Sequence, residues 1–483
     1  MLKMYEIKHF MEEDAGSHKK RMARQGLKYY EGEHKITGTR VFYVDADGKL
    51  KEDTTRSNVR ISHPFFMELV DQEVQYMLSG DGNFIRSDDP DLQSMMDTYF
   101  DDSFWSEVYE ALTGCITKGF DYLYAYYTAD NRIGFQHADS MGVVEVAAKD
   151  TEDQEEHVIY WYMDHIEKEK KVIKRIQVWD ERETWYYVQE GDGEIMADDK
   201  APLNPRPHIV TKNEKGERFG SSFHFIPFFR IDNGAKQFSG LKTVKDLIDD
   251  YDLMACSLSN NLQDFTDAIY VVSGFQGADL DELMQNIKTK KHIGTSPDGK
   301  LDIKTVDIPY EARKVKLELD EKNIYRFGMG FNSAQLGDGN ITNVVIKSRY
   351  ALLDLKCNKL EMRLKKFLRN IIKVVLDEIN KANGTDYQLK NVYIKFQREI
   401  ITNAQDNAQI QLTDAQRQGQ QINNILAAAN LLDDETVIEA ICNILDIDYE
   451  EIKDKLPERE GSTQDAVELL DAAVHDKEDG ADV

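Results

Sequence analysis

The spacing of apolar residues predicts an α+β region in the first half of the chain. Apolar positions recur at intervals of three and four, as on one face of a helix, over residues 5–30, 64–78 and 104–118. Short runs rich in β-branched and aromatic residues, typical of strands, occur at residues 122–127, 142–147, 157–163, 172–179 and 184–189. A hairpin is predicted at Asp47-Gly48, a turn pair between the apolar residues Phe42 and Leu50. The β-rich pattern ends near Asn233-Gly234, where we place the first domain boundary.

The next part of the chain predicts two helices that flank a small insertion. Helical spacing covers residues 241–262 and resumes after Pro309 as far as Phe327. Between these helices, a strand at 268–273, a short helix at 280–289 and a hairpin that turns at Pro297-Asp298-Gly299 predict a compact α+β unit.

A glycine-rich segment then leads into the longest helix that the pattern predicts. Four glycines within residues 328–340 indicate a mobile or sharply turned loop. The helix that follows covers residues 343–381, which corresponds to about 58 Å at 1.5 Å per residue. Its apolar face consists of Leu353, Cys357, Leu360, Leu364, Phe367, Ile371, Val375 and Ile379. A strand at 392–396 is expected to return to the first domain.

The end of the chain predicts polar helices and a disordered tail. Residues 403–424 are rich in Gln and Asn, but their Ala and Leu content favours a helix over a prion-like tract. Two short helices are expected at 422–431 and 434–445. From Pro457 onward, nine acidic residues face only two basic ones, which is typical of disorder.

The charge balance excludes some classes of partner. The chain of 483 residues has 60 Lys and Arg against 88 Asp and Glu, a net charge of -28. A protein that wraps nucleic acid gains its affinity by neutralising phosphates, so this balance argues against that class. It is compatible with a passage through which DNA slides, because tight phosphate binding there would act as a brake.

The cysteines and the apolar runs indicate a compartment. The four cysteines form no CxxC pair, so neither a zinc site nor a disulfide framework is predicted, and a reducing compartment fits. No stretch approaches 18 apolar residues, and residues 1–10 lack the pattern of a signal peptide. We therefore expect a soluble, cytoplasmic chain without membrane contact.

The sequence contains few candidates for catalysis. GxxxxGK[ST], HExxH, GxSxG and GxGxxG motifs are all absent, so we expect no catalytic residue, no cofactor and no metal. His63, His137 and His224 are interpreted as structural. The acids at Asp249-Asp250-Asp252 suggest a metal site, but neighbouring acids on a helix point in different directions. A solvated face or an intersubunit contact is the favoured interpretation.

One segment reverses the acidic balance. Residues 343–373 contain nine Lys or Arg and two acids, a local charge of +7 that leaves -35 for the remainder. Six of these cations follow the predicted helix as a basic stripe beside its apolar face: Lys347, Arg349, Lys356, Lys359, Arg363 and Lys366. The favoured interpretation pairs this stripe with the acidic surface of a neighbouring subunit, and DNA contact is the alternative.

The order of these parts resembles the portal proteins, or head–tail connectors, of long-tailed (siphovirus-type) phages that infect Gram-positive hosts. Four local segments are similar: Tyr29-Tyr30-Glu31-Gly32, Asn58-x-Arg60-Ile61, Phe238-Ser239-Gly240-Leu241 and Gly339-Asn340-Ile341-Thr342-Asn343. The resemblance extends from residue 1 to about residue 450.

The resemblance implies an α+β portal fold with an α+β wing, a two-helix stem, a small α/β clip insertion, a long wing helix preceded by a tunnel loop, and a helical crown. The implied boundaries are 1–237 for the wing, 238–265 and 310–327 for the stem helices, 266–309 for the clip, 328–343 for the tunnel loop, 344–402 for the long helix and return strand, 403–456 for the crown and 457–483 for the acidic tail.

The resemblance also implies a function. Portal proteins form a ring, usually of twelve subunits, at one capsid vertex, and DNA passes through it during packaging and ejection. The implied partners are the terminase large subunit, the head-completion adaptor, the scaffold and major capsid proteins, and double-stranded DNA. The ring would be assembled in the bacterial cytoplasm and remain in the virion.

Two sets of site residues follow from the same resemblance. The tunnel loop would contact DNA through Phe331, Asn332, Ser333, Gln335 and Asn340. The clip would dock the terminase and the adaptor through Lys288, Lys290, Lys291 and Asp298.

Two other classes of protein remain as alternatives. A metal-dependent nuclease would use the acid-rich middle of the chain, and its DNA cleavage would depend on divalent metal. A capsid scaffold or adaptor without a channel would not need a loop set between two helices, which this sequence contains.

Overall fold

Helices and strands alternate in the first half of the chain, and helices dominate the second half. The computed structural model describes residues 2–54, 56–80, 82, 84–128, 130–147, 155–166, 171–212, 218–264, 269–275, 295–304, 309–332, 343–398, 404–429 and 434–445. The helices are α1 Met4–Gly16, α2 His18–Tyr30, α3 Phe65–Met77, α4 Pro90–Asp97, α5 Asp102–Lys118, α6 Lys245–Asp264, α7 Tyr310–Gly328, α8 Asn343–Asn383, α9 Ala404–Ala428 and α10 Asp434–Leu445.

The strands are mostly short and antiparallel. They are β1 Phe42–Val44, β2 Leu50–Glu52, β3 Ile85–Arg86, β4 Phe120–Tyr127, β5 Ile133–Ala138, β6 Val143–Ala147, β7 Glu155–Ile166, β8 Lys171–Trp179, β9 Glu183–Glu190, β10 Met196–Ala197, β11 Arg206–Pro207, β12 Ile209–Lys212, β13 Arg218–Ser221, β14 Phe228–Asp232, β15 Ile269–Phe275, β16 Thr295–Lys304 and β17 Tyr393–Ile394.

The chain forms two compact units. One contains Met1–Asn340 and Val345–Ile400, and the other contains Ile341–Val344 and Ile401–Val483. Within the second unit α9 packs against α10. The polar helix predicted from residue 403 is confirmed as α9, but α9 continues unbroken where the sequence predicts a separate helix from residue 422. The predicted tail, from residue 457, lies outside the described residues.

The largest sheet of the first unit is an antiparallel meander. Its strands follow the order β10-β9-β8-β7-β6, with β11 paired to β9. Alternate residues of these strands point to one face, where Val144, Ile159, Ile176 and Tyr187 pack against Ile7 of α1. The strands predicted around residues 142–189 are therefore confirmed, and α1 covers the apolar face of their sheet.

A second sheet, in the order β14-β4-β5, packs against α5. Helix α5 is well defined at both ends, because Asp101 accepts a hydrogen bond from the Phe104 N–H and Gly119 follows with a φ of 101°. Asp121 of β4 is fully buried, and it accepts hydrogen bonds from the Ser140 N–H and pairs with Lys118 and His137. His137 is thus structural, as the sequence predicts.

The first helical region differs from the prediction. The sequence predicts one helix over residues 5–30, but the chain breaks at Ser17, whose extended backbone and hydroxyl cap the start of α2. The break directs the Lys20 side chain into the unit, where its Nζ donates to the Val143 carbonyl at 2.7 Å and lies 2.9 Å from Asp14. A buried ammonium needs such acceptors, and here one comes from the preceding helix and the other from β6.

The small insertion also differs from the prediction. The sequence predicts a hairpin over residues 292–306, but Thr295–Lys304 is one strand, β16, paired with β15. The turn signal at Pro297-Asp298-Gly299 produces a bulge instead, because the pairing passes directly from Ser273 with Lys300 to Phe275 with Thr295. The helix predicted at 280–289 lies outside the described residues.

The predicted long helix is confirmed as α8, which has 41 residues. All eight residues of its predicted apolar face are buried. Arg398 pairs with this helix through Asp354, at 2.7 Å, and through Glu361. The return strand is confirmed as β17, which pairs with β3.

Two further properties concern the cysteines and the helices of the chain. The four cysteines, Cys115, Cys256, Cys357 and Cys442, are all buried and unpaired. Burial raises the pKa of Cys357 to about 12 and raises that of Cys115 well above its ordinary value. None of the described helices combines the length and the apolar composition of a transmembrane span.

We expect Gly119→Ala to destabilise the first unit. Gly119 has a positive φ, and a Cβ there would lie 2.3 Å from the Gln237 carbonyl oxygen. The backbone conformation alone costs a non-glycine residue about 1–2 kcal/mol, and the contact with backbone adds to it. Urea denaturation should show this loss, whereas Gly16→Ala, where nothing lies within 4 Å, should leave stability nearly unchanged. Equal stability of the two variants would contradict the packing at Gly119.

Candidate functional site

The predicted tunnel loop begins from a fixed point. Helix α7 ends at Gly328, and Met329 then takes a left-handed conformation with a φ of 55°. Phe331 follows, and its ring is buried and stacked on Tyr350 of α8 at 4.6 Å between centroids. The residues before the loop are therefore packed into the first unit.

Helix α3 holds this point through one side chain. The Gln72 Oε1 accepts a hydrogen bond from the Phe331 N–H at 2.9 Å, and the Gln72 Nε2 donates to the Phe331 carbonyl at 2.8 Å. Glu68, one turn earlier, accepts hydrogen bonds from Gln72 and from the Tyr325 hydroxyl. We call Glu68, Gln72, Tyr325, Phe331 and Tyr350 the loop clamp. The sequence signal for it was the spacing of Glu68 and Gln72 at i and i+4, which places them on one side of α3.

Two of the four loop glycines serve close packing. A Cβ at Gly328 would lie 2.6 Å from the Leu69 Cδ1, and one at Gly330 would lie 2.2 Å from its Cδ2. These glycines allow α3 to approach the end of α7, so mobility does not explain them.

The predicted DNA-contacting residues differ in their surroundings. Phe331 is buried in the loop clamp. Asn332 is half-buried, and its amide donates to Glu321 at 2.9 Å. Ser333, Gln335 and Asn340 lie outside the described residues.

Helix α6 is fixed by a buried carboxylate. The Asp252 Oδ2 lies 2.6 Å from the His34 Nδ1, and its Oδ1 lies 2.7 Å from the His63 Nδ1 and accepts from the His63 N–H. Tyr29 stacks on His34 at 4.6 Å. Burial alone would raise the pKa of the Asp252 carboxyl, but the hydrogen bonds from both histidines outweigh it and lower that pKa.

The three acids of the Asp249-Asp250-Asp252 cluster in α6 therefore have separate partners. Asp249 accepts from the Tyr29 hydroxyl and pairs with Lys245 at 2.6 Å, while Asp250 pairs with Lys316 of α7. The predicted solvated face is wrong for Asp252, which is fully buried. Its carboxylate can be buried because His34 and His63 supply the hydrogen bonds that it would otherwise make with water. Within the described residues, no group of His, Cys, Asp and Glu is arranged to hold a metal ion.

The basic stripe divides into paired and unpaired cations. Lys356 lies 2.8 Å from Glu73 of α3, a buried carboxylate, so this cation stabilises its own chain. Lys347, Lys359 and Lys366 are exposed and Arg363 is half-buried. None of these four forms an ion pair with another described residue. The side chain of Arg349 lies outside what the structure describes.

The structure describes one of the four predicted clip residues. Asp298 lies in the bulge of β16 and is exposed. Lys288, Lys290 and Lys291 lie outside the described residues.

A comparison with protein families decides the class. The family described as "Phage portal protein, SPP1 Gp6-like" matches residues 12–462. The chain belongs to this portal family. Portal proteins are structural components of the virion, ring-shaped connectors at a capsid vertex, and the resemblance noted in the sequence is confirmed.

Individual relatives agree with the family. The portal protein of Bacillus phage SPP1 is 26% identical over 382 residues, which cover 78% of this chain and 74% of the relative. The portal protein of Clostridium phage phiCD119 is 26% identical over 408 residues, covering 80% and 84%. A solved structure titled "Neck of native GTA particle computed with C12 symmetry" is similar with a TM-score of 0.39 and 13% identity, covering 80% of this portal chain and 90% of that chain.

We expect Gln72→Leu to open the loop clamp. The variant leaves the Phe331 N–H and carbonyl without partners, which costs about 2 kcal/mol. Hydrogen exchange at the Phe331 amide should accelerate about 30-fold. The exposed Gln75 on the same helix supplies the control, Gln75→Leu, which should leave this exchange unchanged. Unaltered protection in Gln72→Leu would contradict the clamp.

We expect Asp252→Asn to destabilise the portal chain in a pH-dependent manner. Removing a buried paired charge costs about 3 kcal/mol at pH 7. Because the folded pKa of Asp252 is lowered, its stabilisation is complete above the unfolded pKa of about 3.9 and disappears as pH falls through the folded value. The difference between wild type and variant in urea denaturation should therefore narrow below about pH 4.

The control for this measurement is Asp246→Asn, at an exposed position of the same helix. It should change stability by less than about 1 kcal/mol at every pH. A gap between wild type and Asp252→Asn that stayed constant down to pH 2 would count against the two-histidine arrangement.

Proposed function

We propose that this chain forms a ring-shaped channel of twelve subunits at one capsid vertex, through which double-stranded DNA is packaged and ejected. Membership of the portal family over residues 12–462 carries this proposal. Scaffold and major capsid proteins would surround the ring in the bacterial cytoplasm. The terminase large subunit would dock during packaging, and the head-completion adaptor would replace it afterwards.

The segment after Phe331 is the proposed DNA-contacting part of the channel. Ser333, Gln335 and Asn340 carry polar, uncharged side chains, which form weak hydrogen bonds with phosphates. Weak contacts let DNA move, whereas lysines there would hold it. Support comes from the loop clamp, which fixes the start of this segment through Gln72 and Tyr350. In this proposal Phe331 anchors the loop and does not contact DNA.

The insertion between α6 and α7 is the proposed docking unit for the terminase and the adaptor. It connects two helices, α6 and α7, that pack against each other. Asp298 is exposed in its bulge, and Lys288, Lys290 and Lys291 supply positive charge in the same insertion.

A deletion of Ser333–Asp338 tests the loop assignment. The deletion begins two residues after the anchor, so we expect rings by native mass spectrometry and negative-stain electron microscopy, with wild-type thermal stability. DNase-protected DNA should fall at least tenfold in particles from a portal-deficient phage complemented with the variant. Normal packaging by the deletion would remove the role proposed for the loop.

A second variant tests whether Phe331 anchors the loop. Phe331→Ala should lower the free energy of unfolding by about 3–5 kcal/mol, because it empties the buried position beside Tyr350.

The ring itself is tested on the wild type. A wild-type chain that stays monomeric, even with its scaffold and capsid proteins, would contradict the proposed ring.

A further inference from the structure

One face of the long helix has the composition of a protein interface. Leu352, Leu355, Lys359, Met362 and Lys366 fall within about 80° of one another at 100° per residue, and we call them the outer face of α8. Leu352, Leu355 and Met362 are 42%, 51% and 70% exposed. Large apolar side chains grouped on one surface indicate a contact that the isolated chain does not make.

The two lysines of the outer face are available for pairing. Lys359 and Lys366 are exposed, and neither forms an ion pair with any other residue that the structure describes. Lys356 and Lys365 on the same helix differ, because Glu73 and Glu361 pair with them. Lys359 and Lys366 thus lie unpaired among exposed apolar side chains.

This mixture favours a protein surface over DNA. A duplex offers phosphates to the lysines, but its backbone gives little to an exposed leucine or methionine. A surface that combines carboxylates with apolar atoms would satisfy both kinds of side chain. The occupant should therefore be an acidic protein surface.

The chain itself contains a matching acidic surface. Residues 87–117 include eight Asp or Glu and no Lys or Arg. Five of these acids are exposed around α4 and the start of α5, and we call them the acidic corner: Asp88, Asp91, Asp97, Asp101 and Asp102. No described residue forms an ion pair with any member of this corner.

The two surfaces are too far apart to meet within one copy. The acidic corner lies beside the C-terminal end of α8, where the Asn383 side chain is 3.3 Å from the Met95 sulfur of α4. From Lys359 to Asn383 the helix rises about 36 Å, at 1.5 Å per residue. This distance exceeds the Debye length of about 8 Å at physiological salt several-fold, so neither surface neutralises the other.

We infer that the outer face of α8 in one copy contacts the acidic corner of the next copy. Each copy then presents a basic, partly apolar surface and an acidic surface at separate places. A contact between two different surfaces of this kind repeats head to tail and closes into a ring when the rotation allows it. The inference rests on the proposed ring and names the contact that joins its subunits.

Two charge-reversed variants test this contact. One is Lys359→Glu with Lys366→Glu, and the other is Asp88→Lys with Asp91→Lys and Asp97→Lys, which leaves two acids against three lysines in the corner. Each alone places like charges across every contact, so ring abundance in native mass spectrometry should fall at least tenfold. Mixed in equal amounts, they should form rings again, with the two variants alternating in equal number. Wild-type circular dichroism and thermal unfolding of each variant confirm that the subunits are folded.

A charge-matched control is Lys49→Glu with Lys395→Glu, both at exposed positions outside the two surfaces. Its rings should match those of the wild type. Wild-type ring abundance for Lys359→Glu with Lys366→Glu would overturn the contact. If those rings also packaged less DNA, the outer face of α8 would be a DNA-contacting surface instead. Failure of the mixture to form rings would also overturn it, whereas a wild type without rings would remove the proposed function instead.

Discussion

A carboxylate buried in protein destabilises the fold unless cations or hydrogen-bond donors surround it, and this constraint organises the first unit. Asp252 fixes α6 to the segments that carry His34 and His63. Glu73 connects α3 to the long helix through Lys356. Asp121 joins β4 to the end of α5 through Lys118. The first two pairs link elements that are distant along the chain, so the helices that flank the insertion and the loop are held in defined positions.

The long helix separates two uses of positive charge. Cations that face inward, such as Lys356, compensate buried acids of the same chain. Cations that face outward, such as Lys359 and Lys366, lie among exposed apolar side chains and have no such role. One helix can therefore contribute both to the stability of the subunit and to contacts outside it. Because the chain has a net charge of -28, each such exposed lysine is attracted electrostatically to an acidic neighbour.

Helical periodicity made much of this fold predictable. The apolar face of α8, the end of α5 at Gly119 and strands β6 to β9 of the large sheet all follow from local spacing and turn residues. The bulge at Pro297-Asp298-Gly299 and the clamp on Phe331 do not, because their partners lie elsewhere in the chain. His34 and Asp252, for example, are 218 residues apart. The break at Ser17 has a local cause, the Ser17 cap, but the helical spacing on both sides of it predicts one continuous helix. The prediction of the protein class depended on the order of the elements along the chain, since no single motif identifies that class.

The burial of all four native thiols has a practical consequence for work on the assembled ring. Because Cys115, Cys256, Cys357 and Cys442 are enclosed, and the pKa of two of them is raised, thiol reagents will find little thiolate at neutral pH. The natural chain thus serves as its own cysteine-free background. A single cysteine introduced on a surface of interest can be spin-labelled, dye-labelled or cross-linked selectively, without replacing native residues that the core needs.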